Sequence, residues 1–189
     1  RSLPDRIKDD FRYWDGEVNS TSNIVFEEGK VGQALWFNST VGQVAIEIED
    51  FWNEFKAGLT ASTIPVTISA WVKPGTKNEG SFFSDDSNEG YIKYNRGDNS
   101  FEFKFIGTTK SFSVASDKFN DWHFVAISFS GSSGNEVKFY LDDQEETIIG
   151  SSDNLAGDLF IGYNSNGLID ELKIYQATLS KEEIIGNSG

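Results

Sequence analysis

Apolar and polar residues alternate in short runs along most of this chain, and clusters of Gly, Asn, Asp and Ser separate the runs. The clearest run is Val66–Lys73, where Val66, Ile68, Ala70 and Val72 share one face and Thr67, Ser69 and Trp71 the other. A two-residue period of this kind is the signature of a strand with one buried side. Comparable runs at 34–37, 44–48, 80–84, 91–95, 100–106, 112–115, 122–130, 136–141, 158–162 and 169–175 predict further strands. The run at 44–48 is expected to pair with that at 34–37. Arg96-Gly97-Asp98-Asn99 reads as a hairpin tip between 91–95 and 100–106, since Gly between polar residues suits a turn. Asp142-Asp143 occupies a second hairpin, and with Asp in place of Gly that turn is expected to be loose. Many short strands at short spacing predict an all-β, antiparallel β-sandwich rather than alternating strands and helices.

Two stretches carry a helical period instead. Phe51, Phe55 and Leu59 recur every four residues, which predicts a short amphipathic helix. Trp52 lies one position off that stripe, so it is expected to face the rim or solvent. Near the end, Ser180 and Glu183 form a capping box, and Leu179 and Ile184 stand at the positions of a hydrophobic staple. Gly186 is placed to stop that helix.

One strand contains a charge at an apolar-face position. Counting by twos, Asp170 shares a face with Leu172 and Ile174. An isolated buried carboxylate is costly. Asp170 is therefore expected to be bound to metal, to cap backbone amides or to pair with Lys173.

Composition narrows the class of protein. The chain has 189 residues and no Cys, which excludes a disulfide framework and thiol chemistry. This length suits one sandwich domain spanning 1–189, with residues 1–12 as an N-terminal arm. Aromatic residues make up 14% of the chain, enough for a sizeable core. No apolar run reaches the ~18 residues needed to span a bilayer, so membrane insertion is not expected. A net charge of −14 repels phosphate backbones and excludes nucleic acid as a natural partner. No secretion signal is visible at Arg1, as expected of a mature or excised domain.

Five segments, in order, carry a family resemblance. Gly29-Lys30-Val31-Gly32-Gln33-Ala34-Leu35-Trp36-Phe37-Asn38 resembles an early strand, and Thr67-Ile68-Ser69-Ala70-Trp71-Val72-Lys73-Pro74 a central strand. Trp122-His123-Phe124-Val125-Ala126-Ile127 and Val137-Lys138-Phe139-Tyr140-Leu141-Asp142 resemble paired back-half strands, and 167–184 a closing strand and helix. Together they are similar to the laminin-G-like jelly rolls of the concanavalin A-like lectin and glucanase group, over roughly 13–185. Against that pattern, 49–65 is a departure, read as an insertion over one rim.

The resemblance implies a jelly roll with one or two short helices, and it implies candidate sites. A structural Ca2+ joining the first and last strands would map onto Asp170 and Asp15, with Asn38 adding an oxygen; an oxygen-rich, Cys-free chain suits such a hard ion. The glucanase branch carries Glu-x-Asp-x-x-Glu, and the nearest string, 47–54, lacks it at Glu49 and Trp52. His123, the single histidine, has no evident catalytic partners and reads as structural. For sugar stacking, Trp52 is the first candidate and Tyr91 and Tyr94 follow, with Asn88, Asn95, Tyr163 and Asn164 as polar loop neighbours. The implied function is a non-catalytic carbohydrate-binding module of an extracellular or cell-surface protein, attached to other domains of a larger enzyme or adhesin. The alternative is a protein-binding adhesion module on the same fold, and a polysaccharide-degrading enzyme ranks third. Arg96-Gly97-Asp98 matches an adhesion tripeptide, and Asn19-Ser20-Thr21 and Asn38-Ser39-Thr40 match glycosylation sequons.

Overall fold

The computed structural model of the protein describes residues 6–7, 16–18, 23–39, 45–56, 64–131, 135–150 and 155–186. Two antiparallel sheets pack face to face. The eight-stranded sheet runs in the order β1 (Arg6–Ile7), β2 (Gly16–Val18), β5 (Ile46–Ile48), β14 (Leu159–Ile161), β7 (Glu79–Asp85), β8 (Tyr91–Asn95), β9 (Ser100–Phe105) and β10 (Thr108–Ser113). The seven-stranded sheet runs β13 (Gln144–Ile149), β12 (Glu136–Leu141), β11 (His123–Phe129), β6 (Val66–Pro74), β15 (Asn166–Tyr175), β4 (Gln33–Asn38) and β3 (Ile24–Glu28). Non-consecutive neighbours in both sheets mean that the chain crosses repeatedly between them, the topology of a jelly roll.

Alternation explains the core. In β9 the rings of Phe101, Phe103 and Phe105 point inward and are fully buried, while Ser100, Glu102 and Lys104 take the other face. From the opposite sheet Phe139 meets Phe103 and Phe129 meets Phe105, and Phe37 joins the same core, all three with no exposed surface. One pairing differs from expectation. β5 lies beside β2 and β14, not beside β4, which pairs with β3 and β15. Ile46 and Phe37 are both inward-facing, so the two strands meet across the core instead of edge to edge.

A bulge in β15 reverses the reading of Asp170. The register with β6 shifts between Asp170 and Lys173, and Glu171 takes φ +49. The extra residue changes the parity of everything after it. Ile169 points into the core and Leu172 and Ile174 pack against it, while Asp170, paired with Trp71, lies on the outer face. Asp170 is nonetheless only 5% exposed. The β3–β4 turn, closed by a Gly29 N–H to Gly32 carbonyl bond of 3.1 Å, folds over it and places Lys30 Nζ 4.6 Å from the Trp71 ring.

The two helices are α1 (Phe51–Lys56) and α2 (Lys181–Gly186). The capping box of α2 forms as expected: Ser180 N–H donates to Glu183 Oε2 at 2.8 Å and Glu183 N–H to Ser180 Oγ at 3.3 Å. These bonds hold the exposed Glu183 carboxyl below its ordinary range. Leu179 and Ile184 then pack on Phe124, Ala126 and Tyr140, covering part of the outer face of the seven-stranded sheet. The Asp142-Asp143 turn is tight rather than loose, because Leu141 pairs directly with Gln144. Asp142 takes φ +53, and its carboxylate secures that backbone by accepting from Phe124 N–H and facing His123 Nδ1, both at 2.8 Å. His123 Nε2 faces the Lys118 carbonyl at 3.1 Å, which makes this buried ring a structural bridge.

Candidate functional site

Outward positions of the eight-stranded sheet form cross-strand rows. In one, Phe160 of β14 stands between Glu47 of β5 and Ser84 of β7, and Ser84 pairs with Tyr91 of β8. In the next, Ser81, Lys93, Glu102 and Ser111 follow one another across four strands. From these rows Ser81, Ser84, Lys93, Glu102, Ser111 and Phe160 floor a cleft of about 510 Å³. Its wall is aromatic at one side, where the half-buried rings of Phe160 and Tyr163 lie 5.4 Å apart at 48°. Asn88 and Asn164, at φ +55 and +53, shape the loops above it.

The polar groups of the cleft are held in place. Lys93 Nζ sits 3.9 Å from the centroid of the Tyr91 ring and donates to Asn88 Oδ1 at 2.6 Å. Burial pushes this ammonium below the usual lysine range. Tyr91 donates its hydroxyl proton to Glu102 Oε1 at 2.7 Å, and burial together with that carboxylate raises the phenol. Asp85, 5% exposed, accepts from Ser87 Oγ at 2.5 Å, Glu89 N–H at 2.9 Å and Gly90 N–H at 3.1 Å. Burial still outweighs those bonds and raises its carboxyl. Beyond Phe160, burial raises the Glu47 carboxyl, and a hydrogen bond donated by its protonated form to the neighbouring Asp158 carboxylate adds to the rise.

The three stacking candidates are all buried: Tyr94 borders the cleft, yet none of the three rings is open to a ligand. Trp52 is 1% exposed and packs edge-on against Phe51, Phe83 and Phe105, with centroids 5.0, 6.3 and 6.0 Å away. The chain turns at Asp50, φ +51, into a six-residue helix whose first two rings both fill the space between the sheets. Phe51 is buried as expected, while the side chain of Phe55 and all of Leu59 lie outside the described residues. Tyr94, 1% exposed, points inward with Ile92, packs at a 38° tilt against Phe82 and exchanges two hydrogen bonds with the Asn166 backbone. Tyr91 does face outward, but Lys93 and Lys104 cover its ring, leaving it 7% exposed. The loop neighbours Asn88, Asn95, Tyr163 and Asn164 all line the cleft. Phe160 was the missed residue, and its outward parity between Leu159 and Ile161 is the signal that marks it.

Two of the calcium candidates, Asn38 and Asp170, do not converge. Asn38 pairs with Asn166, four residues before Asp170 on the same strand, or about 13 Å away at strand rise. Asn38 Oδ1 accepts from Asn166 Nδ2 at 3.3 Å. Asp170 Oδ2 accepts from Val31 N–H and Oδ1 from Glu171 N–H, both at 2.8 Å. Asp170 thus caps backbone amides, and Lys173 pairs with Glu171 instead. Asp15 lies outside the described residues. Among the described residues no group of three or more His, Cys, Asp or Glu side chains is placed to hold a metal ion. Asn38 and Asp170 therefore do not fit one shared cation.

Other motifs are absorbed by the fold. The Arg96 guanidinium bonds the Gly75 carbonyl and Asn120 Oδ1, and stacks 5.3 Å from the Phe119 ring. Asp98 accepts from Ser100 Oγ at 2.6 Å. In the sequon at 38–40, Ser39 is buried and donates to the Ser165 carbonyl at 2.5 Å; Asn19-Ser20-Thr21 lies outside the described residues. Trp36 and Trp122, both half-buried, line a second cleft of about 540 Å³ on the opposite sheet.

Two crossed-over antiparallel sheets with a polar cleft on an outer face define a lectin-like jelly-roll sandwich. The chain belongs to the Laminin G family described as the concanavalin A-like lectin/glucanases superfamily, whose model matches residues 50–185. No curated protein matches the chain in sequence. Among solved structures it is similar to domain 4 of AbnA, an extracellular arabinanase from Geobacillus stearothermophilus, in complex with arabinotriose. That match has 20% identity and a TM-score of 0.58, over 88% of this chain and 81% of that one. It is also similar to the Trypanosoma rangeli sialidase in complex with sialic acid, at 14% identity and TM-score 0.66, over 98% of this chain but only 31% of the sialidase. A third likeness is to the botulinum neurotoxin serotype G binding domain, at 15% identity and TM-score 0.64, over 98% of this chain and 50% of that one. These likenesses establish the fold. Among the described residues no helix is long and apolar enough to cross a membrane.

Proposed function

We propose that the chain is a non-catalytic carbohydrate-binding module of a larger extracellular or cell-surface protein, and that the cleft on the eight-stranded sheet receives the glycan. The observation that carries this reading is the Phe160–Tyr163 ring pair beside a floor of fixed hydrogen-bonding groups. Sugar rings offer C–H faces to aromatic rings and hydroxyls to polar groups, and this cleft supplies both surfaces. The likeness to an arabinanase domain in complex with arabinotriose supports the same ligand class. A non-catalytic role is supported by the sequence, where the nearest string to the glucanase pattern Glu-x-Asp-x-x-Glu, residues 47–54, departs from it at Glu49 and Trp52.

The test is calorimetric titration with a panel of neutral oligosaccharides, arabinotriose included, against the wild type, Phe160→Ala and Tyr163→Ala. Expected is weak binding by the wild type and no release of reducing ends. Either variant is expected to lose about tenfold in affinity, because an aromatic contact carries about 0.5–1.5 kcal/mol beyond the area it buries and about 1.4 kcal/mol is tenfold. Unchanged affinity in both folded variants refutes the assignment of this cleft.

A further inference from the structure

The charges lining the cleft are unbalanced. Among the described residues around it, five carboxylates, Glu79, Asp85, Asp86, Asp98 and Glu102, face a single cation, Lys93. That cation is already engaged by Asn88 Oδ1 and the Tyr91 ring, and burial disfavours its charged form. The nearby Lys104 is spent on Glu89 at 3.0 Å. A ligand carboxylate entering here meets acceptors and a committed ammonium. A ligand hydroxyl can donate to Asp98 or Glu102, each of which keeps acceptor capacity beyond the single side-chain bond it receives.

We propose that this cleft selects neutral, hydroxyl-donating sugars and rejects glycans bearing carboxylates, such as uronates and sialic acids. The inference rests on the carbohydrate-binding reading and deepens it. It also separates this chain from one of its structural neighbours, the sialidase in complex with sialic acid, whose likeness lies in the fold. Each ligand carboxylate sits within about one Debye length of several like charges, where residual repulsion weakens binding several-fold per ligand charge at physiological salt.

The decisive probes are the galacturonic acid trimer and its fully methyl-esterified form, which share rings and linkages and differ in charge. Both are titrated, together with arabinotriose, into the wild type and into the double variant Glu79→Gln/Glu102→Gln, at low and at high salt. The amide introduced by Glu102→Gln keeps an acceptor oxygen for the Tyr91 hydroxyl, and Glu79 is exposed, so the double variant is expected to fold. Expected is affinity for the neutral probes, at least tenfold weaker binding of the free-acid trimer, and a gap that narrows both in the variant and at high salt. Equal or tighter binding of the free acid overturns the selectivity and leaves the carbohydrate-binding reading standing. A gap unaffected by both salt and the variant also overturns it, since the discrimination is then not electrostatic. Absence of binding by every probe, and by a neutral glycan array, overturns the carbohydrate-binding reading itself and the inference with it.

Discussion

Replacing Asp170 by Ala removes the link between a surface turn and a central strand, and its cost can be worked from the geometry. The carboxylate is 5% exposed and accepts two backbone N–H bonds at 2.8 Å, from Val31 and Glu171. Bonds to a charged group contribute about 1.5–3 kcal/mol each, and an orphaned buried donor costs about 1–3 kcal/mol. Val31 is 44% exposed, so water can reach its amide once the turn lifts, and the lower end applies there. A total of about 2–4 kcal/mol follows. For a chain of this size each kcal/mol moves the melting temperature by about 2–4 °C, giving a fall of about 5–15 °C. Asp170→Asn keeps one acceptor oxygen and is expected to lose about half as much. Both are read by thermal melts followed by circular dichroism, in calcium and in excess chelator. Because the carboxylate is engaged by amides and Asn38 lies far along the strand, the loss is expected to be equal in both buffers. A melting temperature unchanged by Asp170→Ala, or a loss present only with calcium, refutes this reasoning.

Three further outcomes are expected. Gly29→Ala sets a Cβ 2.5 Å from Asp170 Oδ2 and 2.8 Å from the Ala34 nitrogen, so it is expected to cost about 1–3 kcal/mol in a denaturant melt, as overpacking does. Trp52→Ala empties a fully buried site and is expected to cost about 3–5 kcal/mol, while glycan affinity of the folded fraction stays unchanged; selective loss of affinity would restore Trp52 as a contact. Glu47 has its folded-state pKa raised above 4.5 by burial and then by Asp158, so the folded state holds that proton more tightly than the unfolded chain does. The resulting penalty is fully present above the raised value and fades as pH falls through it toward about 4.5. Glu47→Gln is therefore expected to raise the melting temperature at neutral pH and to flatten that part of the profile; a profile identical to wild type refutes it.

Much of the fold was legible because alternation and capping are local. Val66 to Val72 and the box from Ser180 to Glu183 say what they become without help from the rest of the chain. The assignment of β5 to a sheet was not legible, because an inward-facing Ile46 looks the same in either sheet. Asp170 was misplaced for a sharper reason. Counting by twos assumes an unbroken ladder, and one inserted residue, Glu171, hides in a run that still looks regular. Trp52 defeated the helical period because adjacent helix positions lie only about 100° apart, so Phe51 and Trp52 share one buried arc while Asn53 is exposed. The cleft was partly legible in Asn88, Asn95, Tyr163 and Asn164, but Phe160 reads as core until strand parity across β14 is known.

The Asp170 contact also has a kinetic meaning. A four-residue turn at the rim would ordinarily open on its own and exchange its amide hydrogens within moments. Here the Val31 hydrogen is held by a carboxylate rooted in the middle of the seven-stranded sheet. To release it, either the turn must peel away from Asp170 or β15 must separate from its neighbours. Exchange at Val31 therefore follows the cheaper of these two openings: a rate far above that of the β15 amides marks peeling of the turn alone, and a rate matching theirs marks opening of the sheet.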